Sequence, residues 1–530
     1  MTNDELKRLD RTLVWHAFTQ MAEYEPLVIE RAEGCELIDI DGRRYLDGVS
    51  SLWCNVHGHR HPRLDAAIRA QLDRVAHVTS LGCSNPTTIR LAQRLVALAP
   101  PGLGHVFFSD DGATAVEVAL KMAFQYWRQH TAATSEASVS PLPGTMRSMV
   151  AGEGQGVREG EHLPDAPPIG DNVQTGERKA MAGEAPGQAA LTPDPSPASG
   201  RGEQRGLTHG PSPKGRGGTR DCYLALGEAY HGDTLGAVSV GGVERFHAMF
   251  RPLLFETIRL PLPDTYRTPP GVAAADLCDY HLGLLEKTLA KHGHRIAAMV
   301  VEPLMQCAAG MVRHPSGYLR GVRELTRRYG VLLIADEVAV GFGRTGRMFA
   351  CEHEGVVPDL LCLAKGLSGG YLPIAATLAT DEIYNAFLGR YEESKAFFHG
   401  HTYGGNPLGA AVALASLDVF DEEQTLANLQ PKIARLAEHL ARIAGHKHVG
   451  HVRQCGLIAG IELVRDKATA EPFPWAEKRG LRVCDFARGQ GVWLRPLGNV
   501  VVVMPPLAVT LAQLDRIMAA VADGIAATLP

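Results

Sequence analysis

The 530-residue chain predicts an α/β fold: a large, doubly wound, mostly parallel sheet joined to a smaller α+β domain. Three observations carry that expectation. Short, wholly apolar runs at 223–226, 296–301, 331–335 and 360–364 suit strands buried on both faces. Helical patterns lie between strands, as crossovers in a parallel sheet require. The two ends of the chain differ from this middle, with a hairpin-like stretch in front and long helices around two strands behind.

Composition narrows the function. With 45% hydrophobic and 21% charged residues the chain is an ordinary globular one, long enough for two domains. A net charge of −5 without a long basic stretch points away from nucleic acid and anionic membranes. The ten cysteines are scattered, with no CxxC and no metal-ligand spacing with histidine, so reduced thiols and no metal are expected. The opening MTNDELKRLD lacks the apolar core of a signal peptide, and a run such as 500–504 is too short to span a bilayer. A cytoplasmic enzyme is the expectation.

In chain order, the irregular aromatic segment WHAFTQM from Trp15 comes first. Segments 27–30 and 36–40 flank Gly34, and Asp41-Gly42 turns into 43–46, which reads as an antiparallel meander. SSLWCNVHGH from Ser50 is too rich in aromatic and imidazole groups for a plain linker; for Trp53 and His57, core filling and pocket lining both stay open. Pro62 opens a helix with Leu64, Ile68, Leu72 and Val75 on one face, and 87–98 continues in helical style. A strand at 105–110, the turn Asp111-Gly112-Ala113-Thr114 and a helix over 115–126 follow. Free N–H groups and the positive end of the helix dipole make this turn an anion site, and Thr114 adds a hydroxyl. An ordinary helix cap would look the same.

Residues 131–219 contain no Phe, Tyr, Trp or Cys, and LTPDPSPASGRG from Leu191 is echoed by LTHGPSPKGRG from Leu207. Such a stretch buries too little apolar surface to order itself and reads as a disordered, low-complexity insertion without chemistry. Beyond it, Tyr230 follows a short strand on a loop where it could stack on a flat ring. Helix 318–329 leads to strand 331–335, and another strand is expected at 372–379. A polar loop from Phe397 to Pro407 precedes helix 408–420; helices 422–443 and 511–528 then surround strands 455–463 and 500–504. Arg495 is a lone charge among apolar neighbours, a setting in which arginines pair with or bind a carboxylate. The expected division is 1–60 joining the small domain, 61–420 as the large domain with its insertion, and 421–530 as the small domain.

The strand at 331–335 ends on Asp336 and the run at 360–364 ends on Lys365. Open α/β sheets place ligand chemistry at such strand ends. A carboxylate and an amine there suit pyridoxal phosphate: the lysine forms an imine with the aldehyde, and the aspartate keeps the pyridine nitrogen protonated. Taken in order, Gly112-Ala113-Thr114, Tyr230-His231-Gly232, Asp336-Glu337-Val338, Gly341-Phe342-Gly343-Arg344-Thr345-Gly346, Lys365, Thr402 and Arg495 resemble the class III pyridoxal-phosphate aminotransferases of fold type I. The resemblance spans nearly the whole chain outside the insertion.

Within that family, WHAFTQM, SSLWCNVHGH, ALKMAFQYW from Ala119, YHGDTLGAVSVGG from Tyr230, CEHEGVVPDLLCLAKGLSGG from Cys351 and WLRPLG from Trp493 are similar to members that aminate 8-amino-7-oxononanoate to 7,8-diaminononanoate in biotin biosynthesis. The resemblance implies Lys365 as the attachment point and proton carrier, Asp336 on the pyridinium, Gly112 and Ala113 on the phosphate, and Tyr230 on the ring. It implies Thr402 on the phosphate of the neighbouring subunit, hence a homodimer, and Arg495 on the distal carboxylate with Gly400, Phe18 and Trp53 nearby. Members that take the amino group from S-adenosylmethionine typically carry tyrosine where Phe18 stands and tryptophan where Leu52 stands, while others use lysine, so both donors stay open. Another class III ω-aminotransferase, acting on a diamine or ω-amino acid, and a cofactor-binding protein without transferase activity are the rival readings.

Overall fold

The computed structural model describes residues 1–137 and 220–529. Its centre is a seven-stranded sheet in the order Leu103–Ser109, Ala375–Thr380, Leu360–Leu363, Leu332–Asp336, Ile296–Val301, Cys222–Leu226, Thr257–Leu260. Only Ala375–Thr380 runs against its neighbours; the remaining pairings are parallel. The mostly parallel sheet read from the apolar runs is present, and those strands are buried along their whole length. Residues facing helices on both sides need no polar face, which is why the runs do not alternate.

Register fixes what gathers at one edge of this sheet. Asp336 pairs with Cys362 and Ala335 with Val301, so Asp336, Lys365 two residues beyond Leu363, and Glu302 just beyond Val301 all stand at the C-terminal ends of parallel strands. The helix Gly112–Ala137 starts at the same edge, three residues after Leu103–Ser109 ends. It runs past Tyr126 to Ala137, seven residues into the stretch read as an insertion. The rest of that stretch, 138–219, lies outside the described residues.

The N-terminal meander forms as Ile29–Glu33, Glu36–Asp39 and Arg44–Asp47, extended by a parallel pairing with Val492–Trp493. A second antiparallel sheet joins Val449–Cys455, Ile458–Asp466, Val500–Val503 and Arg495–Leu497. One hydrophobic core runs from Leu333 of the large sheet to Val501 of this one. Among the described residues no helix is long and apolar enough to cross a membrane.

Several local expectations are corrected. The helix expected over 422–443 begins at Thr425, because Gln424 at φ 48° breaks it from the preceding Pro407–Glu422. The strand expected at 455–463 is the second arm of a hairpin that turns at Gly456, whose φ of 60° and close approach to the backbone of Thr345 exclude a side chain. Leu72 ends its helix half-exposed and Val75 lies beyond it, so the buried face there is Leu64 and Gln71. The strand expected from Leu372 starts at Ala375, after Pro373, which cannot donate to a ladder. Thr257–Leu260 and the helix Leu277–His292 form without having been anticipated.

Candidate active site

A cavity of about 760 Å³ opens at the strand ends and is lined by Asp336, Lys365, Tyr230, Gly112, Trp53 and Leu52, with Ala113 beside Gly112. Asp336 is buried. Its Oδ1 accepts the Val338 N–H at 3.0 Å, and its Oδ2 lies 2.7 Å from His231 Nδ1. Burial works against a charge on His231, but the hydrogen bond and negative charge of Asp336, helped by Glu302, outweigh it and hold the imidazole above its ordinary pKa. Glu302 accepts the N–H groups of Tyr230 at 3.2 Å and Cys307 at 2.9 Å. Burial pushes its carboxyl up to about 7, with Asp336 adding to the rise and His231 opposing it. Three buried titratable groups therefore line one corner of the cavity.

Beside that corner the helix Gly112–Ala137 presents its first N–H groups to the cavity. Asp111 caps it through Oδ1, which accepts the Thr114 N–H at 3.0 Å, and the Thr114 hydroxyl donates to the Asp111 carbonyl at 2.8 Å. Thr114 is thus committed to the cap and does not line the cavity. The helix start is wedged between two walls. A Cβ on Gly112 would overlap Val338, and one on Gly232, at φ 118°, would overlap Ala113. Thr234 Oγ1, on the cavity wall, is buried without a hydrogen-bond partner among the described residues. Free helix N–H groups, a spare hydroxyl, a flat ring in Tyr230, an amine and a buried carboxylate are the complement of a phosphorylated pyridine aldehyde, so the residues fit pyridoxal phosphate.

The third wall carries Leu52 and Trp53. Lys365 Nζ sits 5.6 Å from the centre of the Trp53 ring. Tyr230 donates its hydroxyl to Asp233 Oδ2 at 2.6 Å, and the desolvation of that hydroxyl raises its pKa. The Tyr230 ring is flanked by Phe246 edge-on and His247 face-on. Phe18 is 58% exposed and meets Phe246 edge-on at 5.3 Å, one ring removed from Tyr230 and outside the cavity lining.

Gly400 and Thr402 are exposed and do not line the cavity of the single chain. Arg495 is also exposed, at the start of Arg495–Leu497, and its guanidinium has no hydrogen bond or ion pair among the described residues. His231 and Glu302 are the cavity residues that sequence reasoning passed over. Glu302 carried the same signal as Asp336, an acid at the end of a wholly apolar strand, and His231 directly follows the aromatic that was singled out.

A family model described as Aminotransferase class-III matches residues 19–525. The adenosylmethionine-8-amino-7-oxononanoate aminotransferase of Geobacter sulfurreducens is 46% identical over 514 residues, covering 96% of this chain and 95% of that protein. The crystal structure of the adenosylmethionine-8-amino-7-oxononanoate aminotransferase from Methanocaldococcus jannaschii aligns over 100% of both chains with a TM-score of 0.79 and 36% identity. An amine transaminase from an uncultivated Pseudomonas species, solved in its PLP-bound form, aligns over 97% of this chain and 99% of its own with a TM-score of 0.77 and 32% identity.

Proposed function

The chain belongs to the class III aminotransferases, a pyridoxal-phosphate-dependent family, and from that premise we propose that it aminates 8-amino-7-oxononanoate to 7,8-diaminononanoate, with S-adenosylmethionine or lysine as donor. The observation that carries the chemistry is the meeting of Asp336 and Lys365 at the ends of adjacent parallel strands, with a helix N-terminus lining the same cavity. The substrate follows from the near full-length likeness to relatives named for it.

When bound, pyridoxal phosphate supplies an electrophilic carbon and an electron sink for the substrate's amine-bearing carbon. The protein's groups divide the remaining work. Lys365 would attach the cofactor and, once released, would carry the proton to and from the substrate carbon. Asp336 would hold the proton of the pyridine nitrogen, with His231 Nδ1 fixing the carboxylate through its hydrogen bond to Oδ2. The N–H groups of Gly112 and Ala113 would hold the phosphate, with Thr114 fixing their direction through the cap. Tyr230 would stack on the ring.

Arg495, unpartnered and exposed in the single chain, binds the distal carboxylate, and Phe18, Leu52, Trp53 and Gly400 shape the space around the substrate. Thr402 reaches the phosphate site of a second copy. The homodimer is supported by apolar side chains left outside on that part of the chain: Phe398 is 74% and Tyr403 62% exposed. Residues 61–420, apart from the 131–219 insertion, form the large, cofactor-holding domain, 1–60 join 421–530 in the small one, and the enzyme works in the cytoplasm.

The two half-reactions test this reading. The lysine-bound cofactor of the holoenzyme should lose its visible absorbance with one of the two donors and regain it with 8-amino-7-oxononanoate, with 7,8-diaminononanoate appearing in equal amount. Bleaching by a diamine or ω-amino acid, with no recovery on adding the oxononanoate, would replace this substrate by that of a general ω-aminotransferase.

A further inference from the structure

The wall that carries Leu52 and Trp53 is built from backbone that serine and tryptophan do not adopt on their own. Ser50, Ser51 and Trp53 have φ of 53°, 60° and 65°, and Ser51 combines its φ with ψ of −89°. Residues without glycine's freedom hold such angles only where their surroundings over-determine them. Here the surroundings converge on one side chain. Asp47, with a fully buried carboxylate, accepts the N–H of Val49 on Oδ1 at 3.2 Å and the N–H of Ser51 on Oδ2 at 2.7 Å.

The same Oδ2 lies 3.1 Å from His59 Nε2. Asn55 sets the histidine's tautomer: its Oδ1 accepts the Gly58 N–H at 2.8 Å, which turns its amide nitrogen toward His59 Nδ1 at 3.3 Å and leaves the ring proton on Nε2 for Asp47. Asp47 itself is anchored in the sheet, at the end of Arg44–Asp47 and beside Trp493, with its N–H on the Cys35 carbonyl. Ser50 is pinned from the other side by its hydroxyl on the Met504 carbonyl at 2.6 Å.

We propose that Asp47, oriented by His59 and Asn55, is a positioning residue that holds the 50–53 segment in its strained form and so sets Trp53 against Lys365 and the cofactor. It touches neither substrate nor cofactor; it acts through Trp53 and Leu52. The proposal rests on the assignment of Lys365 and the cofactor site, not on the identity of the substrate.

Its test is a double-mutant cycle of Asp47→Asn and Trp53→Phe, read in two ways. The first readout is the quenching of tryptophan fluorescence when pyridoxal phosphate is titrated into apoenzyme, which requires no substrate. Asp47→Asn should shrink the quenching amplitude, and the Trp53→Phe background should show no further change. The second is kcat/KM, which should fall about ten-fold with Asp47→Asn, the scale of a lost charge-assisted hydrogen bond, and by less than about two-fold when Trp53→Phe is already present. Equal effects in both backgrounds, or undiminished quenching in Asp47→Asn, would overturn the proposal.

If Asp47→Asn does not fold, His59→Leu removes the orienting donor while leaving both backbone bonds of Asp47. It should give a smaller loss that is likewise absent in the Trp53→Phe background, and a loss that persists there would overturn the proposal. A wild type that turns over no oxononanoate would instead overturn the substrate assignment, with the quenching cycle still deciding the role of Asp47.

Discussion

Gly112→Ala should weaken cofactor binding although alanine is the better helix residue. Gly112 opens the helix Gly112–Ala137 and has no positive φ, so the backbone accepts a side chain there, and propensity alone would favour alanine by about 1 kcal/mol. Space decides the other way. An added Cβ would overlap one Val338 methyl outright and stand 3.0 Å from the other and 3.3 Å from Val338 Cβ. Rotating Val338 gives only partial relief, because two methyls distributed over three staggered positions always occupy at least one of the two that face Gly112, and the looser of those still leaves a 3.0 Å contact.

The helix cannot easily retreat either. The Ala115 carbonyl accepts the Thr377 hydroxyl at 2.8 Å, and Glu117 accepts the Gly236 N–H at 2.7 Å. The strain therefore falls on Val338, whose N–H holds Asp336, and on the helix-start N–H groups proposed to hold the phosphate. Overpacking of this kind costs roughly 1–3 kcal/mol, which corresponds to about a 5- to 150-fold rise in the Kd for pyridoxal phosphate if it is felt only in the loaded state. Titration of apoenzyme with the cofactor measures it. Val338→Ala removes both methyls, so the double variant should bind within about three-fold of Val338→Ala alone. A Gly112→Ala Kd within two-fold of wild type, or a double variant no better than Gly112→Ala, would refute the reasoning.

Three further expectations concern the same site and its support. Lys365→Ala should bind cofactor without the visible absorbance of the lysine-bound form; if that absorbance persists, another lysine holds it. Arg495→Ala should raise KM for 8-amino-7-oxononanoate by at least about ten-fold, as loss of a charge-assisted pair does, while the donor half-reaction keeps its rate. An equal loss in both half-reactions would show that Arg495 does not single out the acceptor.

The last concerns Glu337, fully buried and accepting the N–H groups of Ala350 at 2.6 Å and Cys351 at 2.8 Å. Burial pushes its carboxyl up from 4.5 to about 7, so the folded protein holds a proton there that the unfolded chain has released. The stability this contributes is complete below pH 4.5 and is lost as pH rises through about 7, a change of roughly 3 kcal/mol at 1.36 kcal/mol per pH unit. Wild type should therefore lose stability relative to Glu337→Gln between pH 5 and pH 8 in denaturant unfolding; parallel curves would place the carboxyl's pKa near its ordinary value.

How much of this site the sequence disclosed depended on whether local chemistry and tertiary context agreed. Asp336 and Lys365 were legible because an apolar run that ends on a charged residue has one obvious reading in a parallel sheet, and the sheet order then placed the two side by side. Glu302 ended the same kind of run and was equally legible. Gly112 was legible as a helix start, but its pressure against Val338 comes from a segment more than 200 positions away in the chain and leaves no local trace. Breaks such as Gln424 at φ 48° were misread because glutamine is a good helix former and nothing in the local sequence marks the break.

The 50–53 segment is the extreme of this conflict. Nothing in Ser-Ser-Leu-Trp asks for three left-handed residues within four positions, so local preference and observed backbone disagree outright. Such disagreements concentrate where a fold sustains strain for a purpose. Here the strained peptide is the one that carries the wall of the cofactor cavity, and the groups that restrain it, Asp47, His59, Asn55 and Ser50, lie outside the cavity lining. A motif search centred on charged residues at strand ends finds Lys365 and Asp336. Finding what sets Trp53 against them requires asking which buried carboxylate answers for the backbone that should not be there, and the hydrogen bonds point to Asp47.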